Sequence, residues 1–250
     1  MHSRATDGRV IAFVLAVLLS PSMAFSQTCP AVLTEAKRLV LVTTENMDAT
    51  PATMQLYERA SAKESWRVVS PAEPALVGRA GTAWAKAFRH LARPGEPIKI
   101  EGDKRAPAGV YAIGNSFGIV PSSRPGHLQV TDDTVCVDDP DSSAYNTITS
   151  RAVVGPKVHA ENMGKILPMY RRGLLLDYPT NIAAKAGSCI FIHVWRSADK
   201  GTGGCVAMPE ARLEALQDFA EGGSAVLAII PRPALGRLGA CLPQAVAMKR

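Results

Sequence analysis

Apolar residues occur along the chain mainly in short runs, and most of these runs have the length and composition of β-strands. Prolines and glycines between residues 71 and 81 interrupt the chain repeatedly, which is typical of turns. The N-terminal third is therefore predicted to consist of short strands and turns. The predicted strands are Arg38–Thr44, Ala52–Tyr57, Trp66–Val69, Val110–Ile113, Val135–Val137, Leu174–Leu176 and Ala225–Ile230.

The strongest local pattern is the segment Cys189–Trp195, which reads Cys-Ile-Phe-Ile-His-Val-Trp. Both faces of such a strand are apolar, because residues on either side of the period-2 alternation are hydrophobic. We therefore expect a central, buried strand. A loop rich in glycine and polar residues follows over residues 196–204.

Two segments have the spacing of helices. Pro209 suits a first helical position, and the residues after it predict a helix that stops at Gly222-Gly223. The segment Ala160–Tyr170 is a second candidate, which Pro168 would interrupt or end. The apolar face of the first helix is marked by Leu213, Leu216 and Phe219.

No internal repeat or Pro/Ser-rich linker divides the chain. We therefore predict an α+β fold, mostly β, in which a sheet or sandwich is accompanied by a few short helices. The predicted domain covers residues 39–231. A segment of residues 27–38 precedes it, and a C-terminal tail of residues 232–250 follows it.

The first 26 residues have the pattern of a signal peptide. Arg4 and Arg9 give a positive start, Val10–Leu19 is an unbroken apolar run, and Ala24-Phe25-Ser26 supplies the small residues of a cleavage site. We therefore expect export. No apolar run reaches the roughly 18–20 residues that span a bilayer, so we expect no stable membrane insertion after cleavage.

Composition and charge narrow the class of protein. The 250 residues are 47% hydrophobic and 20% charged, which excludes a disordered or collagen-like chain. The formal net charge of +6 indicates attraction to an anionic surface. Nucleic acid is not an expected partner, because no Lys/Arg run alternates with aromatic residues and no familiar binding motif occurs.

The chain contains an odd number of cysteines, which is informative for an exported protein because thiols tend to pair in an oxidising compartment. Four of the five can form two disulfides in any of three connectivities, and one thiol is left over. The cysteines are Cys29, Cys136, Cys189, Cys205 and Cys241.

Cys205 and His193 have the residue types of a nucleophile and its base. Cys205 is predicted to lie just before a helix N-terminus, which would favour the thiolate. Gly203 and Gly204 would let backbone N–H groups face a developing oxyanion. On spacing alone, a hydrogen-bonded core histidine and half of a disulfide are the commoner explanations, and both remain open.

Two sequence motifs resemble those of the L,D-transpeptidase (YkuD/ErfK-type) catalytic domain. The first is Phe191-Ile-His193-Val-Trp195 followed by Thr202-Gly-Gly-Cys205-Val-Ala207-Met208. The second, upstream, is Glu101-Gly-Asp-Lys-Arg-Ala-Pro107-Ala-Gly109-Val-Tyr111. They occur in the family's order, and the resemblance implies that residues 39–231 are a mostly β catalytic domain.

The resemblance also implies an activity that needs no cofactor. The thiolate would attack the carbonyl between L- and D-centres of a peptidoglycan stem peptide, form a thioester and pass the acyl group to an acceptor amine. Cys205 would be the nucleophile and His193 the acid/base, and the Val194 carbonyl would orient the imidazole. Backbone N–H groups of Gly203, Gly204 and Cys205 would form the oxyanion hole.

The chain departs from the family at two positions. Many members have His before the Gly-Cys pair and Arg or Asn two residues after the Cys, whereas this chain has Gly203 and Ala207. Arg171, Arg172 and Arg196 are the candidates to bind the substrate carboxylate instead, although a solvated surface charge is the commoner explanation for each. Tyr170 and Trp195 are candidates to line the substrate groove, and core packing explains them at least as well.

No metal is expected. The aspartates between residues 132 and 141 lack the glycine and terminal glutamate of an EF-hand loop, and turn formation explains them.

Two alternative functions remain open. The same Cys-His site with water as acceptor would be an endopeptidase or amidase, and the departure at Ala207 fits a catalytically silent module that binds wall peptides. The resemblance and the short leader together imply export to the periplasm.

Overall fold

The computed structural model describes residues 29–243, and β-structure predominates in this part, as the sequence predicts. The predicted signal peptide, residues 1–26, lies outside the described residues. The helices are α1 (Ala31–Glu35), α2 (Arg151–Val154) and α3 (Glu210–Ala220), with 3₁₀ turns at Lys86–Leu91, Met163–Lys165, Met169–Arg171, Ile182–Ala184 and Arg232–Cys241. The strands are β1 (Arg38–Thr44), β2 (Pro51–Glu58), β3 (Arg67–Val68), β4 (Glu73–Leu76), β5 (Thr82–Trp84), β6 (Ala106–Gly118), β7 (Leu128–Gln129), β8 (Thr134–Val137), β9 (Ile148–Ser150), β10 (Ala160–Asn162), β11 (Gly173–Leu176), β12 (Phe191–Val194), β13 (Val206–Met208) and β14 (Ala225–Pro231).

Eight of these strands close into a barrel. They follow one another in the order β1, β14, β6, β11, β12, β13, β4 and β2, and β2 pairs again with β1. The sequence pattern predicts a sheet or sandwich, and the structure differs because β1 is hydrogen-bonded along both of its edges. Closure removes free edges from the ring. Within it, β12 and β13 run parallel to each other.

The interior of the barrel is apolar. All seven residues of β14 are buried, and its neighbour β1 is buried at five of seven positions. Helix α3 packs on the outside through Leu213, Leu216 and Ala220, which recur at helical spacing. Burial on both faces explains why these strands are continuous apolar runs rather than alternating ones.

A second, smaller core joins the barrel to a three-stranded sheet of order β10, β8, β9. Phe117 and Phe191 from the barrel pack there against Cys136 from β8 and Tyr170. Cys205 belongs to this second core. The fold therefore places the candidate nucleophile between the barrel and the small sheet.

The helix predicted over Ala160–Tyr170 is wrong. Residues 160–162 instead form β10, whose backbone pairs with β8 in antiparallel register. Gly164 then passes so close to the backbone that a Cβ there would lie 2.1 Å from the carbonyl oxygen of Thr131. Pro168 lacks the N–H that a continuous helix needs. Pairing with β8 therefore outweighs the helical pattern.

Two disulfides account for four of the five cysteines. Cys29 pairs with Cys241, and Cys136 pairs with Cys189. The first ties the segment before β1 to the 3₁₀ turn after β14, and both ends pack on the main core through Leu33 and Leu238. No helix among residues 29–243 is long and apolar enough to cross a bilayer.

Replacing Cys29 and Cys241 together by Ala is expected to lower the free energy of unfolding by about 2–5 kcal/mol, because the bridge closes a long loop in the unfolded chain. Its sequence separation is 212 residues, against 53 for Cys136–Cys189. From chain entropy alone, the Cys29–Cys241 bridge is expected to raise the free energy of unfolding by about 1 kcal/mol more than the Cys136–Cys189 bridge does. Urea unfolding of the two double variants measures this difference. An unchanged midpoint in the Cys29/Cys241 variant would contradict the expectation.

Candidate active site

Cys205 and His193 lie on neighbouring parallel segments of the barrel. In the register of β12 with β13, His193 stands opposite Ala207. Cys205 directly precedes β13, and its Sγ accepts a hydrogen bond from the N–H of Phe191 at 3.3 Å. Residues two apart on a strand point to the same face, so Cys205 shares the face of Ala207 and His193. The register thus places the Cys205 and His193 side chains on diagonal positions of the β12–β13 pair.

The Cys205 thiol is buried and hydrogen-bonded on both sides. Its Sγ–H donates to the carbonyl oxygen of Cys189 at 3.3 Å, while the Phe191 N–H donates to the sulfur. The pKa of the thiol is raised to about 12, first by burial and then by the charge of Glu161, while the Phe191 N–H and Lys99 act in the opposite direction. The thiol is therefore protonated at neutral pH in the unliganded site.

The expected helix N-terminus at Cys205 is absent. Residues 206–208 form β13, and α3 begins only at Glu210. The helix dipole falls off within its first turn, so it does not act on the thiol. The prediction that the helix lowers the thiol pKa is wrong, because a strand separates the two.

The His193 imidazole is held by its own strand. Its Nδ1 lies 2.8 Å from the carbonyl oxygen of Val194, which is only an acceptor, so Nδ1 carries the proton. The pKa of His193 is lowered to about 4, mainly by burial; the bond to Val194 opposes this shift, and the charge of Arg196 adds to it. At neutral pH the ring is neutral, and its Nε2 is free of a proton and able to accept one. This contact with Val194 is the one that the resemblance implies.

The loop before Cys205 is braced by Thr202. Its hydroxyl donates to the carbonyl oxygen of Cys205 at 2.7 Å and accepts from the N–H of Gly204 at 3.1 Å. The Gly204 N–H is thus already engaged. The N–H groups of Gly203 and Cys205 find no acceptor among residues 29–243, which leaves them available to an oxyanion.

The ring of Tyr170 lies against His193 and belongs to the second core. Its ring stands edge-on to His193 at 5.6 Å between centroids and to Phe191 at 6.1 Å. Its hydroxyl donates to Glu161 Oε2 at 2.7 Å. The side chain is buried, so it shapes the wall of the site through its ring.

The candidate arginines divide into two groups. Arg172 forms ion pairs with Glu210 and Glu214 on α3, at 3.5 and 3.2 Å, and Arg171 also pairs with Glu210. These two guanidinium groups are therefore engaged by carboxylates of the protein itself. Arg196 is exposed, lies 3.8 Å from the Met169 sulfur and acts electrostatically on His193. Of the three, Arg196 is the one with no carboxylate partner within 4 Å among residues 29–243, and its role in binding a ligand stays a prediction.

Sequence reasoning missed Glu161 and the bracing hydroxyl of Thr202. Glu161 falls in the segment predicted as a helix, and three residues of β10 are too few to give a recognisable alternation. The Thr202 contacts depend on the path of the loop. Glu161 carries no signal that spacing or composition detects, whereas Thr202 belongs to the first motif but its two hydrogen bonds do not follow from it.

No group of three or more His, Cys, Asp or Glu side chains within residues 29–243 is arranged to hold a metal ion. The aspartates of residues 132–141 make local contacts instead. Asp139 accepts a hydrogen bond from the N–H of Asp141, Asp133 accepts one from Ser150, and Asp138 lies 2.5 Å from His159 Nδ1. These contacts are those of turn and loop residues.

Comparison with known protein families finds no match, and no curated protein is detected as a relative. Three solved structures are similar in part. The helical cell shape determining protein Pgp2 of Campylobacter jejuni gives a TM-score of 0.38 at 16% identity, and a point variant of it gives 0.40 at 16% identity. Bd1075 of Bdellovibrio bacteriovorus gives 0.41 at 15% identity. The matches cover 78% of this chain but only 50%, 47% and 48% of those chains, so this chain spans about half of their length.

Alanine at Gly204 is expected to disrupt the site, whereas alanine at Gly203 is tolerated. Gly204 has φ of +153°, and a Cβ there would lie 3.1 Å from the carbonyl oxygen of Arg105; a Cβ at Gly203 meets nothing within 4 Å. Thermal unfolding and activity of the two variants measure the difference. Equal behaviour of both variants would show that the loop does not have the described path.

Alkylation of Cys205 by iodoacetamide is expected to be slow at neutral pH, because the high pKa of the thiol leaves little of the reactive thiolate. A pKa of about 12 leaves a thiolate fraction of roughly 10⁻⁴ at pH 8, and the rate should rise about tenfold per pH unit from pH 8 to pH 10. The Cys205→Ala variant, which has no free thiol, is the control. A rate that is high and flat between pH 6 and 8 would indicate a preformed thiolate and contradict the expectation.

Proposed function

We propose that the chain is an exported cysteine transpeptidase that acts on peptidoglycan stem peptides through a thioester on Cys205. One observation carries the proposal. The one cysteine of the five outside a disulfide lies diagonally across a strand pair from a histidine whose Nδ1 proton is held by a backbone carbonyl. This leaves Nε2 as the basic atom, which is the arrangement a thiol nucleophile requires. The resemblance of both motifs to the L,D-transpeptidase catalytic domain supplies the substrate.

In the proposed first step, the Cys205 thiol attacks the carbonyl carbon between the L- and D-centres of a stem peptide, while His193 Nε2 takes the thiol proton. The thiol is a far weaker acid than the imidazolium, so proton transfer accompanies attack rather than preceding it. The N–H groups of Gly203 and Cys205 stabilise the oxyanion. The C–N bond then breaks, and His193 passes its proton to the leaving amine.

In the proposed second step, an acceptor amine attacks the thioester carbonyl. Its proton passes through His193 to the departing sulfur, which restores the neutral pair. Water in place of the amine would make the same site a hydrolase. The acceptor therefore decides between the two enzymatic functions.

A second candidate function is a domain that binds wall peptides without turning them over. The burial and high pKa of the Cys205 thiol favour it, because both oppose the formation of a thiolate. The two candidates differ in whether a bound peptide makes the thiol react.

Sacculi incubated with the mature protein are expected to lose terminal D-residues and to gain crosslinks, as measured by mass spectrometry of their muropeptides. Cys205→Ala should abolish the change, and His193→Gln should slow it at least a hundredfold, because the first variant lacks the nucleophile and the second lacks the base. Glu64→Gln, a change at an exposed loop carboxylate, is the matched control, since it leaves both groups and the oxyanion donors in place. Crosslinking that persists in Cys205→Ala would overturn the proposal. A Cys205-dependent loss of crosslinks would indicate the hydrolase, and no change in any sample would favour the binding domain.

A further inference from the structure

One carboxyl group beside Cys205 has no part in the two steps above. Glu161 lies on β10 opposite Cys136, which is disulfide-bonded to Cys189. The Cys189 carbonyl in turn accepts the hydrogen bond of the Cys205 thiol. A disulfide and two backbone contacts therefore tie Glu161 to the candidate nucleophile. The carboxylate is near enough for its charge to act on the thiol.

Tyr170 fixes the orientation of this carboxyl group. The Tyr170 hydroxyl donates a hydrogen bond to Glu161 Oε2 at 2.7 Å, while the Tyr170 ring packs edge-on against His193. Oε1 accepts no hydrogen bond from any residue in the described range 29–243. Glu161 is also partly exposed, whereas Cys205 and His193 are only 7% and 3% exposed. One oxygen is thus held by Tyr170, and the other has no hydrogen-bond partner among residues 29–243.

The charges around Glu161 favour a cation. No ion pair within 4 Å engages it among the described residues. Burial raises the pKa of the Glu161 carboxyl group and is the largest effect on it. The negative charge of Asp138 also raises this pKa, while the positive charge of Lys104 lowers it. A carboxylate that is largely buried without a salt-bridge partner is costly, so a ligand that brings a positive donor gains free energy there. A primary ammonium group, compact and with three donors, fits one free carboxylate oxygen.

We propose that Glu161, held by Tyr170, is the acceptor-side residue that binds the ammonium group of the acceptor and takes a proton from it. This inference rests on the proposed function, and it selects an amine over water as the acceptor. The ammonium R–NH₃⁺ gives one proton to the Glu161 carboxylate and becomes R–NH₂. The amine nitrogen then attacks the thioester carbonyl, the C–S bond breaks, and the second proton passes through His193 to the sulfur. The products are the amide, the Cys205 thiol and a protonated Glu161, which returns its proton to solvent.

The test compares two acceptors in the full mature protein, with stem peptides as the acyl donor. Isotope-labelled D-alanine carries an ammonium group at pH 7, whereas hydroxylamine is largely neutral and does not need a base to remove a proton. Glu161→Gln is expected to lower the rate of transfer to D-alanine at least tenfold relative to transfer to hydroxylamine. Glu161→Asp should recover part of the ratio, because it restores the charge. Glu214→Gln, an exposed carboxylate on α3, is the matched control and should leave the ratio unchanged.

The outcomes separate this inference from the proposed function. A Glu161→Gln variant that slows both acceptors equally would assign Glu161 a purely structural role and overturn the inference, and so would a variant with an unchanged ratio. Intact-protein mass measured in parallel reports the acyl-enzyme on Cys205. If the wild-type protein forms none, the proposed function itself fails, and the inference fails with it. If it forms one and the ratio does not change, only the inference fails.

Discussion

The parallel pairing of β12 with β13 is the constraint on which the candidate site depends. It sets Cys205 opposite Phe191 and His193 opposite Ala207, so that the thiol and the imidazole share one face of the barrel wall. Both strands are central and buried, which fixes their register, since a slip of one residue would turn every side chain to the other face. The Thr202 hydroxyl then holds the turn that enters β13.

The same burial that orders the pair also keeps it uncharged. It raises the pKa of the Cys205 thiol and lowers that of the His193 imidazole, so neither group is ionised at neutral pH. Glu161 strengthens this bias, because a free carboxylate opposes the thiolate until a cation neutralises it.

The local elements could be predicted from the sequence where burial on both faces leaves an unbroken apolar run. The strand at Arg38–Thr44 is confirmed residue for residue, and the helix after Pro209 begins one residue later than predicted. The strand predicted over Cys189–Trp195 is shorter, at Phe191–Val194. β6 is much longer than predicted, because Gly109 and Gly114 interrupt the apolar pattern from which a strand is recognised. Its pairing with β14 and β11 depends on tertiary contacts.

What could not be predicted depends on contacts between distant residues. Barrel closure rests on β1 pairing with both β2 and β14, which are far apart in the chain. The sequence allows three disulfide connectivities for a set of four cysteines, and only the fold shows that Cys136 pairs with Cys189. Glu161 reaches the site only because β10 pairs with β8, against the helical pattern of its own segment. The two motif residues of the dyad and the contact of His193 with Val194 were detectable, whereas Glu161 was not.

The most direct test of the central claim is the intact mass of the protein after brief incubation with stem peptides, followed by peptide mapping. The account predicts an acyl adduct on Cys205 that is released by hydroxylamine, as a thioester is, and that does not form on the disulfide-bonded cysteines. A peptide that binds and is consumed with no adduct at Cys205, or an adduct on another residue, would contradict the account.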